Sequence, residues 1–75
     1  MKQLRIIPDG WPCLLGECRC GLFMFEDCLG FKSEYGPDDV YVVESGEAFW
    51  GGAETKEKRL NLPVQPCKTE WWEEE

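Results

Sequence analysis

Five cysteines and no histidine frame the chemistry open to this 75-residue chain. Cys13, Cys18, Cys20 and Cys28 follow the spacing C-x4-C-x-C-x7-C, and Cys67 stands apart. Four thiolates on loops can hold Zn²⁺ tetrahedrally and staple a small core. Structural zinc sites usually present paired knuckles, however, and no C-x2-C pair occurs here; the absent His removes the other common ligand. Free cysteines are among the most buried residue types, so core packing without a cofactor is the expected role, with zinc at Cys13, Cys18, Cys20 and Cys28 as the alternative. A Cys13–Cys18 disulfide is disfavoured in a reducing compartment. Cysteine nucleophiles need a base or a cationic neighbour. No His can serve, and Arg19 flanks Cys18 and Cys20 from a position that faces away from both in an extended chain.

The carboxylates read structurally. Glu26-Asp27 and Asp38-Asp39 fall at turn positions, where Asp commonly hydrogen-bonds local backbone. Gly51-Gly52 lacks the strand, helix and Lys of a phosphate cradle. With no catalytic constellation, the chain is expected not to be an enzyme. Trp71-Trp72 followed by three Glu is the most unusual local feature. Neighbours in an extended segment point to opposite faces, so one Trp is expected exposed, as a binding anchor or as part of a tail tied over the sheet. Lys32, Glu34, Tyr35, Trp50 and Arg59 supply the cation, aromatic and acceptor groups that a small-ligand pocket would need.

The elements that must position these residues are short. Met1–Ile7 alternates like a strand and ends at the turn Pro8-Asp9-Gly10. Trp11–Gly21 reads as an ordered loop. Leu22–Glu26 and Leu29–Tyr35 form a hairpin around Glu26-Asp27, with Phe31, Ser33 and Tyr35 on one face and Lys32 and Glu34 on the other. After the turn Gly36-Pro37-Asp38, Val40–Glu44 and Glu47–Trp50 pair across Ser45-Gly46, continuing a β-meander. Glu54–Arg59 suits one helical turn, with Glu54 four residues before Lys58. Leu60–Cys67 is expected as an edge strand, because Pro63 and Pro66 each remove a ladder donor. The expected fold is therefore mostly β: one domain over 1–75, a small antiparallel meander or open barrel of four to six strands. It holds at most one short helical turn and an acidic tail at 70–75 that is free to flex. Leu4, Ile6, Leu22 and Met24 (or Phe23 and Phe25), Phe31, Tyr41, Val43, Phe49 and Val64 are the expected core.

Net charge is −7, from 15 acidic and 8 basic residues. That balance opposes attraction to nucleic acid or to anionic membrane surfaces. No apolar run approaches a membrane span and the N-terminus has no signal-peptide pattern, so a cytoplasmic protein is expected. A domain of this size buries only about 60% of its unfolded surface, but four Trp, four Phe and two Tyr make a core without a staple feasible.

Pro8-Asp9-Gly10-Trp11-Pro12-Cys13, Glu17-Cys18, Gly21-Leu22-Phe23, Gly30-Phe31-Lys32-Ser33-Glu34-Tyr35, Gly46-Glu47-Ala48-Phe49-Trp50-Gly51-Gly52 and Val64-Gln65-Pro66 occur in that order. Together they resemble a group of short uncharacterised proteins of bacteriophages and prophages of proteobacteria, over most of the chain from Ile6 to Trp71. Members carry Pro where this chain has Arg19-Cys20, which sets Cys20 outside the shared pattern and weakens a four-cysteine site. The resemblance implies a phage accessory role in the bacterial host cytosol and carries over no catalytic residue. Three roles stand as expectations. The first is binding and inhibiting a host protein or defence system. The second is sequestering a small anionic ligand such as a nucleotide signal, as a homo-oligomer. The third is acting as a zinc-stabilised interaction module.

Overall fold

The structure, a computed structural model, describes residues 2–35 and 39–73. The turn expected at Gly36-Pro37-Asp38 lies outside the described residues. Six strands and one helix follow in order: β1 (Lys2–Pro8), β2 (Cys13–Leu14), β3 (Gly21–Phe25), β4 (Cys28–Lys32), β5 (Val40–Val42), α1 (Lys56–Leu60) and β6 (Pro63–Glu73). They form an open antiparallel sheet in the order β1-β6-β3-β4-β5, with β2 pairing separately to β6. The mostly β class and the single helical turn are as expected. The helix starts at Thr55, whose Oγ1 accepts the Lys58 N–H at 3.1 Å, satisfying one of the donors that every helix start leaves open. Among the described residues no helix is long and apolar enough to cross a membrane.

The centre of the sheet differs from expectation. β6 is not an edge strand but lies between β1 and β3. Its prolines are tolerated because the strand changes partner where they fall. Pro63 and Val64 pair with Leu14 and Cys13, Gln65 and Pro66 with Met24 and Phe23, and from Cys67 onward the partner is β1. At the switch, Pro66 still serves as acceptor, taking the Asp9 N–H at 2.9 Å, and acceptance needs no N–H of its own. Of the tail expected to flex, 70–75, residues 70–73 are strand, paired with Lys2–Arg5 of β1; residues 74 and 75 lie outside the described residues. The strand expected at Glu47–Trp50 shrinks to one bridge, Tyr41↔Ala48, flanked by Val42 N to Glu47 O (2.8 Å) and Phe49 N to Val40 O (2.9 Å).

The core is built on two rings. Phe23 and Phe49, 0% and 1% exposed, meet edge to face with centroids 5.2 Å apart, a favoured aromatic geometry. Leu15, Cys18, Val40 and Val64 close around them. Phe23 lies across Gly30, its partner on β4, so closely that a Cβ there would come within 2.2 Å of the ring. This contact makes the Gly30 face of β4 the inward one, and a period of two then carries Lys32 inward as well. Phe31 (43%), Tyr41 (39%) and Val43 (47%) are therefore exposed, as are Leu4 (52%) and Ile6 (43%) on β1; all five were expected in the core. Of the two candidate registers for β3, the Phe23/Phe25 one is observed.

Lys32 is 5% exposed. Its Nζ donates to the carbonyls of Leu15 (2.9 Å), Gly16 (3.4 Å) and Cys18 (2.6 Å). The turn after β2 thus directs its carbonyls at one ammonium, which is how a buried cation becomes affordable. Two substitutions test this packing. Gly30→Ala is expected to lower the unfolding free energy by about 1–3 kcal/mol for an overpacked core, read as a lower urea midpoint at unchanged m-value. Lys32→Met keeps the apolar stem but removes the donor, and is expected to cost about 1–3 kcal/mol for buried acceptors left unmet.

Candidate binding groove

Two adjoining cavities open along the β4–β5 end of the sheet. The larger, about 590 Å³, is lined by Phe25, Glu26, Asp27, Cys28, Val42, Phe49, Trp50, Gly51 and Gly52. The second, about 360 Å³, shares Asp27, Cys28 and Val42 and continues over Leu29, Val43 and Glu44. The two share Asp27, Cys28 and Val42 at the sheet edge; the larger lies on the side of Phe25 and Phe49, and the second extends over Leu29 and Val43. Two elements bring together the sides of the larger cavity, the candidate groove: the β3–β4 hairpin tip and the segment after Phe49. Phe25 packs edge to face on Phe49 at 5.6 Å, which joins them. Gly51, at φ +58°, passes where a Cβ would meet Leu62 at 2.7 Å and Phe49 at 2.9 Å. Only glycine fits both the backbone angle and the space.

Trp50, 40% exposed, supplies the widest apolar surface of the wall. Arg59 of α1 positions it: the guanidinium stacks 4.4 Å from the ring centroid, and Nη1 donates to the Phe49 carbonyl at 3.2 Å. The helical turn is thus attached to the groove through one buried Arg, 3% exposed. Two carboxylates, Glu26 and Asp27, line the larger cavity and Asp27 and Glu44 the second, and neither cavity has a Lys or Arg among the described residues that line it. An apolar, aromatic floor under a carboxylate rim fits a cation carried on an aliphatic or planar stem, as in Lys or Arg side chains. Glu26 holds φ 52°, the left-handed angle that tight hairpin turns require at their first central position.

The residues singled out from the sequence are dispersed. Lys32 is occupied by three carbonyls inside the fold. Glu34 and Tyr35 lie exposed in the turn after β4, with Tyr35 95% exposed and its N–H donated to Ser33 Oγ at 3.0 Å. Of the five proposed pocket residues, only Trp50 and Arg59 touch. Trp71 and Trp72 stand on β6, away from the groove, and both are exposed. Sequence reasoning missed Phe25, Glu26, Asp27, Glu44 and Phe49 as site residues. The hairpin signal at Glu26-Asp27 located the tip, but nothing local announces that it packs beside Gly51-Gly52.

The cysteines do not converge. Cys13, opposite Val64, hydrogen-bonds the Cys18 thiol, and burial together with this neighbour pushes Cys18 up to about 11. Cys20 precedes β3 and donates to the Ser33 carbonyl at 3.3 Å. Cys28 sits at the opposite end of the β3–β4 ladder, across from Phe25. Cys67 donates to the Gln65 carbonyl at 3.3 Å. All five are free thiols, and among the described residues no three Cys, Asp or Glu side chains gather as a metal site would require. Beyond β4, Asp39 accepts from Ser33 Oγ at 2.6 Å and from the Tyr41 hydroxyl. Those bonds hold its carboxyl below the usual range and raise the Tyr41 phenol. The chain matches no family model, no curated protein and no solved structure.

Two outcomes follow from this geometry. Glu26→Gly relieves a left-handed non-glycine residue and is expected to raise stability by up to about 1 kcal/mol in urea unfolding, while removing a rim charge. The Cys18 thiol ionises more easily unfolded, at 9.0, than folded, at about 11. Its contribution to stability is therefore complete below pH 9 and is lost as pH rises through 11. Thermal unfolding midpoints should fall across that interval, and less steeply in Cys18→Ala than in the parent chain.

Proposed function

We propose that this chain is a small acidic accessory protein of phage type that acts without catalysis, by binding a basic segment of a host protein in the groove between the β3–β4 hairpin tip and Trp50. The observation that carries this reading is the combination of aromatic walls, Phe25, Phe49 and Trp50, with two lining carboxylates, Glu26 and Asp27, and no lining cation among the described residues. A Lys or Arg side chain laid over Trp50 and Phe25 would bury its stem and keep its charge beside Glu26 or Asp27. The chain-wide charge of −7 adds long-range steering toward a basic surface, such as one that normally holds nucleic acid. The resemblance to phage proteins supports a partner in the host, and occupation of that partner's basic surface would inhibit it. A small anionic ligand is less well served: Lys32 and Arg59, the cations considered for it, are both buried in fixed roles.

Fluorescence anisotropy with labelled peptides tests this directly, using Arg/Lys-rich apolar sequences, their Glu-substituted counterparts and nucleotide probes. Basic peptides are expected to bind, to weaken steadily with salt, and to weaken at least about tenfold, or about 1.4 kcal/mol, in the double variant Glu26→Lys/Asp27→Lys. Equal binding of acidic peptides or nucleotides, or indifference to the charge reversal, would overturn the assignment.

A further inference from the structure

The second cavity repeats the chemistry of the first on the opposite face of the sheet. Cys28 pairs with Phe25 across the β3–β4 ladder, and directly opposed residues share a face. Leu29 follows Cys28 along β4, and neighbouring strand residues project to opposite faces. Val42 closes β5, and Val43 just beyond it donates its N–H to the Leu29 carbonyl at 3.0 Å. The larger cavity thus lies on the face of Phe25 and Phe49, and the second over Leu29 and Val43. At the hairpin tip, Asp27 lines both.

Each cavity sets apolar walls beside two carboxylates. Aromatic rings, Phe25, Phe49 and Trp50, wall the first, with Glu26 and Asp27. Aliphatic side chains, Leu29, Val42 and Val43, wall the second, with Asp27 and Glu44. Leu29 and Val42 are half-buried and Val43 is 47% exposed, so this wall is open to an apolar stem. At about 360 Å³ the second cavity has room for one long side chain. Lys and Arg lie on such surfaces with the stem against carbon and the charge beside a carboxylate. One cation in the first cavity leaves Glu44 and the aliphatic wall unmatched.

With a partner's basic side chain in the larger cavity, as proposed above, we infer that the second cavity takes the next side chain of the same segment. The partner then presents two adjacent basic residues, one to each face of the sheet. Asp27 sets the spacing, because both cationic groups must come within reach of its one carboxylate. An extended segment crossing the end of the sheet sends successive side chains to opposite sides, at roughly 3.3 Å per residue. Residues i and i+1 therefore enter opposite cavities, whereas i and i+2 point to the same side. The walls also differ in preference. A guanidinium gains cation–π attraction against Phe25 or Trp50, which favours Arg in the larger cavity. The aliphatic wall offers no such gain, and Lys or Arg serves there equally.

Fluorescence anisotropy at physiological salt, where the Debye length is about 8 Å, tests this with labelled peptides on one Gly/Ser background. The peptides carry an adjacent pair in either order (Arg-Lys or Lys-Arg), the same pair separated by one Ser, or a single Arg. Adjacent and separated pairs have equal charge, so geometry alone distinguishes them. With protein up to about 1 mM, the better adjacent pair is expected to bind at least about tenfold more tightly than the separated pair or the single Arg. Glu44→Gln should weaken the adjacent pair at least about threefold, the scale of one exposed ion pair, and leave the other peptides unchanged. Glu44→Lys should deepen that loss, and Glu26→Gln should weaken every peptide. Glu26 and Glu44 are exposed, and circular dichroism of each variant checks that the fold is kept. Equal binding of adjacent and separated pairs overturns the inference, as does an adjacent pair indifferent to both Glu44 variants. Equal binding of an adjacent Leu-Val pair would give the second cavity to an apolar segment and overturn it too. The single-Arg peptide reads the larger cavity alone. If it binds and is weakened by Glu26→Gln while the adjacent pair gains nothing, the inference falls and the proposed function stands; if no peptide binds, both fall.

Discussion

Three carbonyls converging on one ammonium hold this fold together where its secondary structure is weakest. Between β2 and β3 the chain makes no ladder, and the segment 15–18 turns on bonds such as Cys18 N to Leu14 O. Such a turn leaves acceptors facing inward, and inward acceptors need donors. Lys32 provides them from β4, so one side chain attaches an irregular loop to the sheet. Leu15 and Cys18 can then be fully committed to the core. The hydrogen bonds of this ammonium are made to carbonyls inside the fold.

The same event fixes the outward surface. Once Phe23 lies over Gly30 and Lys32 points inward, Phe31 must point out, and β5 follows with Tyr41 outward and Val40 inward. One small residue opposite one large one therefore sets the orientation of three strands. The groove inherits this arrangement. Its floor rests on Phe25, two positions along β3 from Phe23, and on Phe49, the ring that Phe23 abuts.

Much of this architecture was legible in the residues. The alternation of Met1–Ile7, the hairpin about Glu26-Asp27 and the helical turn within Glu54–Arg59 all announce themselves through local periodicity and turn chemistry. Two things did not. A Lys at an alternating position reads as a solvent-facing residue, and only the acceptors of a distant loop make it a core residue. Pro63 and Pro66 read as marks of an edge, and only a change of partner midway lets them sit at the centre. Both failures concern contacts between residues far apart in sequence, which no window of neighbours contains. The groove was hidden for the same reason: Glu26 and Trp50 each stood out locally, one as a turn and one as an aromatic, but their adjacency depends on Phe25 meeting Phe49.

The central place of β6 also governs the order in which the molecule can be assembled. β3 and β4 pair across a two-residue turn and need close only a short loop. Pro8, by contrast, meets Cys67 fifty-nine positions along the chain, and Cys13 waits for Val64. Contacts that distant form slowly, because their loop entropy is paid before any pairing repays it. On a ribosome the first strand emerges without its partner and stays unpaired until nearly all of the described chain has followed. During that interval the apolar residues of the β1 edge are open to the solvent, beside two cations, Lys2 and Arg5, that discourage it from pairing with another nascent copy of itself.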